Sequence, residues 1–84
     1  MEIKVLGTGC PKCTLLYRYA ESAIAQSGQA ATLTKVEAIE DIAAHGVMST
    51  PALVIDGRVV SAGHVPTAAA ITTLIKEAAS AVRP

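Results

Sequence analysis

The sequence predicts an α/β protein with the element order βαβαββα, in which a mixed four-stranded sheet carries helices on both faces. An alternating segment at residues 2–6 gives way, from Pro11 on, to apolar residues at helical spacing. A strand–helix–strand beginning implies a parallel pair with a right-handed crossover. Asp56-Gly57 between two β-branched runs indicates an antiparallel hairpin near the end of the chain.

The first strand and first helix follow from a change of period. Ile3 and Val5 alternate with Glu2, Lys4 and Leu6, which is typical of a short strand. The helix begins at Pro11, and Gly28 is suited to end it in a left-handed conformation. Its apolar stripe consists of Cys13, Leu16, Tyr17, Ala20 and Ile24.

The remaining elements are predicted in the same way. Residues 31–36 form a second strand, and a short helix with apolar residues at 39, 42 and 43 ends near Gly46. The runs 51–55 and 58–61 form the hairpin. Thr67 can cap a last helix, whose apolar stripe consists of Ala70, Ile71, Leu74, Ile75 and Ala78.

Length and composition predict one small domain over residues 1–84. Seven basic and seven acidic residues give a net charge of +0, which argues against nucleic-acid binding and a polybasic membrane contact. The first residues lack the apolar stretch of a signal peptide, and no run approaches the ~18 residues of a membrane span. We expect a cytoplasmic protein, a monomer with no nucleic-acid or membrane partner.

The residues that carry chemistry are Cys10-Pro11-Lys12-Cys13, which contain the only two cysteines. Their position at a strand-to-helix junction puts Cys10 at a helix N-terminus, where unpaired N–H groups and the helix dipole stabilise a thiolate. Pro11 suits the first helical position, and Lys12 adds a nearby cation. Cys13 follows one turn later, within reach of Cys10. The pattern predicts a dithiol/disulfide switch.

Other functions of the two cysteines are possible. A structural zinc site would need a second ligand pair, and His45 and His64 are too far apart for the usual spacing. A static disulfide across so short a loop would constrain the unfolded chain little. The alternative to a redox protein is a copper or zinc carrier, because soft thiolates bind Cu(I) well. The small domains of such carriers have the element order βαββαβ. A non-catalytic binding module would leave the cysteine pair unexplained.

The combination of motifs resembles the small thioredoxin/glutaredoxin-like redox-active disulfide proteins of the thioredoxin-fold family. The matching stretches are 4–13, 45–57 and 63–66, so the likeness extends over nearly the whole chain. The resemblance implies a thiol–disulfide oxidoreductase that acts in electron transport. Its partners would be disulfide-bonded proteins and a reductase or dithiol donor. No cofactor is expected other than the Cys10–Cys13 disulfide itself, and no bound metal.

The resemblance also assigns roles to residues. Cys10 is the attacking thiol and Cys13 the resolving thiol, while Pro11 and Lys12 support them. The Thr50–Pro51 bond is implied to be cis, which removes an N–H beside the thiols and presents the Thr50 backbone as a docking edge for a substrate peptide. His64 is expected in a loop near Pro51, and Tyr17 one turn beyond Cys13.

The chain departs from glutaredoxins at two places. Lys12 replaces the usual tyrosine between the cysteines, and residues 62–66 replace the Gly-Gly-x-x-Asp segment that holds the amino end of glutathione. The reductant is therefore left open between glutathione, a flavin-dependent reductase and another dithiol protein.

Overall fold

The predicted order βαβαββα is confirmed by the computed structural model, which describes residues 1–81. The last three residues of the predicted domain lie outside the described residues, and the single domain over 1–84 stays a prediction. In chain order the elements are β1 (Glu2–Leu6), α1 (Pro11–Ser27), β2 (Thr32–Val36), α2 (Ile39–Ala44), β3 (Ala52–Ile55), β4 (Arg58–Ala62) and α3 (Ala68–Ala81).

The four strands form one mixed sheet in the order β2-β1-β3-β4. β1 is parallel to β2 and antiparallel to β3, and β3 continues into the antiparallel β4. The order places β1 inside the sheet. Its carboxyl end, from which the chain turns into α1, is therefore flanked by the end of β2 on one side and the beginning of β3 on the other.

Both faces of the sheet are covered. The larger core lies under α1 and α3, and it contains Ile3 and Val5 of β1 together with Leu16 of α1 and Ile71 of α3. Leu6, which alternation assigns to the opposite side, is fully buried there in a smaller core. That second core contains Leu6, Ile42, Ala52 and Val54.

The turns match the expectations from the sequence. Asp56 and Gly57 have φ values of 49° and 81°, the combination that a tight type I′ hairpin requires. Asp56 also joins the hairpin to β1, because its Oδ1 accepts a hydrogen bond from the Glu2 N–H at 2.7 Å. The hairpin is not regular: β3 pairs Leu53 with Ser61 but Val54 with Val59, which leaves one extra residue on β4.

Helix ends are set by local chemistry. Gly28 ends α1 at φ 73° in the left-handed region, where glycine has no steric penalty. Thr67 caps α3 by accepting a hydrogen bond on its Oγ1 from the Ala70 N–H at 3.1 Å. Within residues 1–81, no helix combines the length and the apolar character that a membrane crossing requires.

Candidate active site

The site begins where β1 ends. A three-residue turn, Gly7-Thr8-Gly9, leads to Cys10, which is the N-cap of α1, and Pro11 occupies the first helical turn. Cys10 has extended backbone (φ −69°, ψ 165°), and its carbonyl accepts the Thr14 N–H at 3.1 Å. Its side chain makes no capping hydrogen bond. The first N–H groups of the helix therefore remain available to a negatively charged sulfur.

The two sulfur atoms lie in contact but in different surroundings. Both cysteines are free thiols, and their Sγ atoms are 2.8 Å apart. Cys10 is half-buried, whereas Cys13 is only 5% exposed at the top of the apolar stripe of α1. A reagent or a substrate therefore reaches Cys10 first, and it reaches Cys13 only through Cys10 or by local opening.

These surroundings move the two thiol pKa values in opposite directions. The pKa of Cys10 is lowered, first by the hydrogen bond from the Cys13 thiol and then by the backbone N–H groups of Cys13 and Lys12. The pKa of Cys13 is raised, first by burial and then by its hydrogen bond to Cys10. Cys10 is thus the better thiolate, and Cys13 holds its proton longer.

Lys12 contributes to Cys10 through its backbone. Its side chain is exposed to solvent, and its N–H is the Lys12 group that stabilises the Cys10 thiolate. A contribution from the exposed Lys12 ammonium itself stays a prediction.

A segment from the other side of the sheet completes the site. The Thr50–Pro51 peptide bond is cis, and Pro51 is fully buried while Thr50 is exposed. The Pro51 carbonyl accepts the Gly63 N–H at 2.9 Å. Gly7 lies between the two halves: a Cβ built there would be 3.2 Å from the Cys13 Cβ and 4.0 Å from the Pro51 Cα. The structure therefore brings Pro51 and Cys13 to the same small region around Gly7.

His64 and Tyr17 each have a partner outside the cysteine pair. The loop that carries His64 does lie beside Pro51, but the exposed imidazole contacts Ser61, with Nε2 3.3 Å from the Oγ. Tyr17 packs at the edge of the larger core, and the Lys35 ammonium lies 4.8 Å from the centre of its ring. The hydrogen-bond partner of the His64 ring is thus Ser61 and the cation over the Tyr17 ring is Lys35, and neither of these partners is a cysteine.

Sequence reasoning missed a small cavity beside Cys13. Lys35 and Glu37, from β2 and the residue after it, line this cavity together with Cys13. It leaves about 20 Å³ for the centre of a water molecule, which is room for one. A Cβ on Gly9 would lie 3.3 Å from the Glu37 Oε2. The signal lay in the parallel pairing, because Leu6 is opposite Val36 and the next residues on each strand meet at one edge.

Among the described residues, no three His, Cys, Asp or Glu side chains gather into a group that could hold a metal ion. The element order also differs from the βαββαβ order expected of the small soft-metal carriers. The fold and the dithiol together define a thioredoxin-like protein of the thiol–disulfide oxidoreductase type.

Comparison with known proteins identifies the family. The sequence model of the thioredoxin domain matches residues 1–76. A thioredoxin of Methanocaldococcus jannaschii is 34% identical over 74 residues, which cover 88% of this chain and 85% of the relative. A thioredoxin of Methanothermobacter thermautotrophicus is 32% identical over 65 residues, 77% of this chain and 84% of the relative. The chain belongs to the thioredoxin family.

Proposed function

We propose that this protein reduces or exchanges disulfide bonds of other proteins through Cys10 and Cys13. The observation that carries the proposal is the contact between a half-buried Cys10 sulfur at a helix N-terminus and a buried Cys13 sulfur 2.8 Å away. A pair so arranged can form a mixed disulfide through one sulfur and resolve it with the other.

The first step uses Cys10. Its thiolate attacks one sulfur of the substrate disulfide, a bond forms between Cys10 Sγ and that sulfur, and the substrate S–S bond breaks. The other substrate sulfur leaves as a thiolate with the electron pair and takes a proton from solvent. The lowered pKa of Cys10 favours this step, because the thiolate is the attacking form.

The second step uses Cys13. After losing its proton, the Cys13 sulfur attacks Cys10 Sγ in the mixed disulfide, and the Cys10–Cys13 bond forms while the bond to the substrate breaks. The second substrate thiolate leaves and is protonated. Two electrons have then passed from the dithiol to the substrate, and the protein is oxidised.

Partners follow from this cycle. The oxidised protein needs two electrons from a reductase or a dithiol donor, so it serves as an electron carrier between that donor and disulfide-bonded proteins. We place the docking edge for the substrate peptide at the exposed Thr50 backbone beside Pro51. The redox group is the Cys10–Cys13 disulfide, without a further cofactor. The cytoplasmic location and the monomeric state stay predictions.

A redox titration tests the proposal. The reduced protein is equilibrated in buffers with a fixed ratio of dithiol to disulfide, with a metal chelator present, and its free thiols are counted. We expect a reversible loss of two thiols per chain in one two-electron transition, which neither Cys10→Ser nor Cys13→Ser shows. Failure to oxidise reversibly would contradict the proposal. Tight binding of Cu(I) or Zn(II) that prevents oxidation would favour the metal carrier instead.

A further inference from the structure

Gly7 is the first residue after β1, and it lies at the back of the resolving thiol. It is buried, and its N–H continues the pairing of β1 with β2 by donating to the Val36 carbonyl at 3.0 Å. Unlike Gly9, at φ 88°, Gly7 does not have the positive φ that favours glycine. A left-handed backbone therefore does not explain why glycine is here.

The space around Gly7 does explain it. A Cβ built on Gly7 would overlap the Cys13 Sγ, and it would also lie 3.2 Å from the Cys13 Cβ. The Pro51 Cα, 4.0 Å from the same point, stands on the far side. The volume that a side chain at position 7 would fill is therefore the volume that the Cys13 sulfur occupies.

We propose that Gly7 is a positioning residue for the resolving thiol: the absence of a side chain at this position lets the Cys13 sulfur lie against the Cys10 sulfur. The inference rests on the proposed function, whose second step needs that contact. Gly7, although it lies outside the Cys10–Cys13 motif, then influences how fast the Cys10–Cys13 disulfide forms.

A methyl group at position 7 should act differently on the two redox states. In the reduced protein, the Cys13 thiol can relieve part of the overlap by turning about its Cα–Cβ bond into another staggered position, at a cost in stability. In the oxidised protein the sulfur is bonded to Cys10 and cannot turn away. Gly7→Ala should therefore destabilise the disulfide relative to the dithiol and make the protein a stronger oxidant.

Kinetics test the positioning role. The probe is a symmetrical aromatic disulfide whose two nitrothiobenzoate halves absorb visible light when released. Attack by Cys10 releases the first half, and closure of Cys10–Cys13 releases the second. At a pH high enough to ionise Cys10 in both proteins, we expect Gly7→Ala to slow the second release at least about tenfold, since displacement of a reacting group by about 1 Å can cost a hundredfold. The first release should change less than about threefold there, because the fraction of Cys10 thiolate no longer depends on the hydrogen bond from Cys13. An unchanged second release, or equal slowing of both, would overturn the proposal.

A double-mutant cycle supplies the matched control. Urea unfolding of the reduced proteins is compared for Gly7→Ala with Cys13 present and in a Cys13→Ala background, where the overlapping sulfur is gone. With Cys13 present, we expect Gly7→Ala to shift the unfolding equilibrium about tenfold towards the unfolded state, as overpacking predicts. In the Cys13→Ala background, the same substitution should shift it less than about threefold. Equal shifts in both backgrounds would overturn the assignment.

Two further outcomes are informative. If Gly7→Ala does not fold but the double variant Gly7→Ala with Cys13→Ala does, the sulfur is the obstacle and the assignment holds. If the double variant also fails while Cys13→Ala folds, the assignment is wrong. A wild-type protein that releases only one half of the probe would contradict the proposed function, while the unfolding cycle would still test the contact between Gly7 and Cys13.

Discussion

The first and fourth positions of the Cys10–Cys13 segment contain the same side chain but lie in two different parts of the molecule. Cys10 belongs to the turn that precedes α1 and is half-buried, and its pKa is lowered by the Cys13 thiol and the N–H groups of the helix start. Cys13 belongs to the apolar stripe, is 5% exposed, and has a pKa raised by burial. One turn of helix is enough to give the two sulfurs a different exposure and opposite pKa shifts.

The largest effect should come from removing one sulfur at a time. With Cys13→Ser, the mixed disulfide on Cys10 has no intramolecular exit, and an internal group can act at effective concentrations of order 10⁵ M in favourable cases. We expect covalent adducts that persist without reductant, seen by non-reducing electrophoresis after exposure to cell extract.

The matched variant for this trap is Cys10→Ser, which we expect to form no adducts. Equal amounts of adduct on the two variants would mean that Cys10 and Cys13 attack substrate disulfides equally well. Absence of adducts on Cys13→Ser would contradict the exchange mechanism itself.

The next effect concerns the apolar stripe that holds Cys13. Leu16 lies one turn beyond Cys13 and is fully buried, while its neighbour Leu15 is 40% exposed. Leu16→Ala should lower the free energy of unfolding by about 2–5 kcal/mol, and Leu15→Ala should cost about 1 kcal/mol or less.

Urea unfolding measures both costs, and alkylation of the folded proteins shows whether Cys10 changes. We expect the reactivity of Cys10 to stay within about twofold in both variants, since both keep the Cys13 thiol and the N–H groups of the helix start, which stabilise the Cys10 thiolate. Equal costs for the two leucines would show that the stripe is not the buried face.

A smaller effect is expected in the pH dependence of alkylation. Because the pKa of Cys10 is lowered, its reactivity rises at a lower pH than the reactivity of a free cysteine thiol, whose pKa is near 8.5. The raised pKa of Cys13 shifts its rise in reactivity to higher pH. Because the thiolate is the reactive form, Cys10 should react faster than Cys13 at neutral pH.

Two backgrounds sharpen this measurement. In Cys13→Ser a hydroxyl can still donate to the Cys10 thiolate, whereas in Cys13→Ala that donor is lost. Because the Cys13 side chain is the largest cause of the lowered pKa, Cys10 should titrate at higher pH in the alanine variant. A faster reaction at Cys13, measured in Cys10→Ser, would reverse the two roles.

The smallest effect is expected at Lys12. Its ammonium is exposed and its contribution to Cys10 comes from the backbone N–H, which Lys12→Met retains. Screening by water and salt weakens an exposed charge further. We expect a change of about twofold or less in the alkylation rate of Cys10. A larger loss of rate that disappears when the pH is raised would show that the Lys12 ammonium stabilises the Cys10 thiolate.

Much of the fold could be predicted because short-range chemistry fixes it. Pro11 and Gly28 mark the two ends of α1, Asp56-Gly57 adopts the φ values of a tight hairpin, and Thr67 caps α3. Helices on both faces of the sheet were predicted, but alternation along β1 did not show which side chains would cover Leu6 on the second face. The Ile42 side chain of α2 covers it.

Part of the site could not be predicted, because it depends on which strands are neighbours. Lys35 and Glu37 line the cavity beside Cys13 only because β1 and β2 run parallel and end at the same edge. Gly7 gives no sign from its sequence position that it provides space for a sulfur rather than flexibility. Its role becomes visible only when the Cys13 side chain and Pro51 are placed around it.

The sequence by itself determined the order of elements, the place of the cysteine pair at a helix start and the difference between its two sulfurs. These follow from hydrophobic periodicity and from the N–H groups at the first turn of a helix, which act over a few residues. Only the tertiary structure decided that Gly7, Pro51 and the end of β2 surround Cys13. Gly7 meets Cys13 where the chain turns from β1 into α1, whereas Pro51 and the end of β2 are distant in the chain and reach the site because β2 and β3 both pair with β1. The local patterns predicted strands and a parallel pair, but not which side chains would meet at this edge of the sheet.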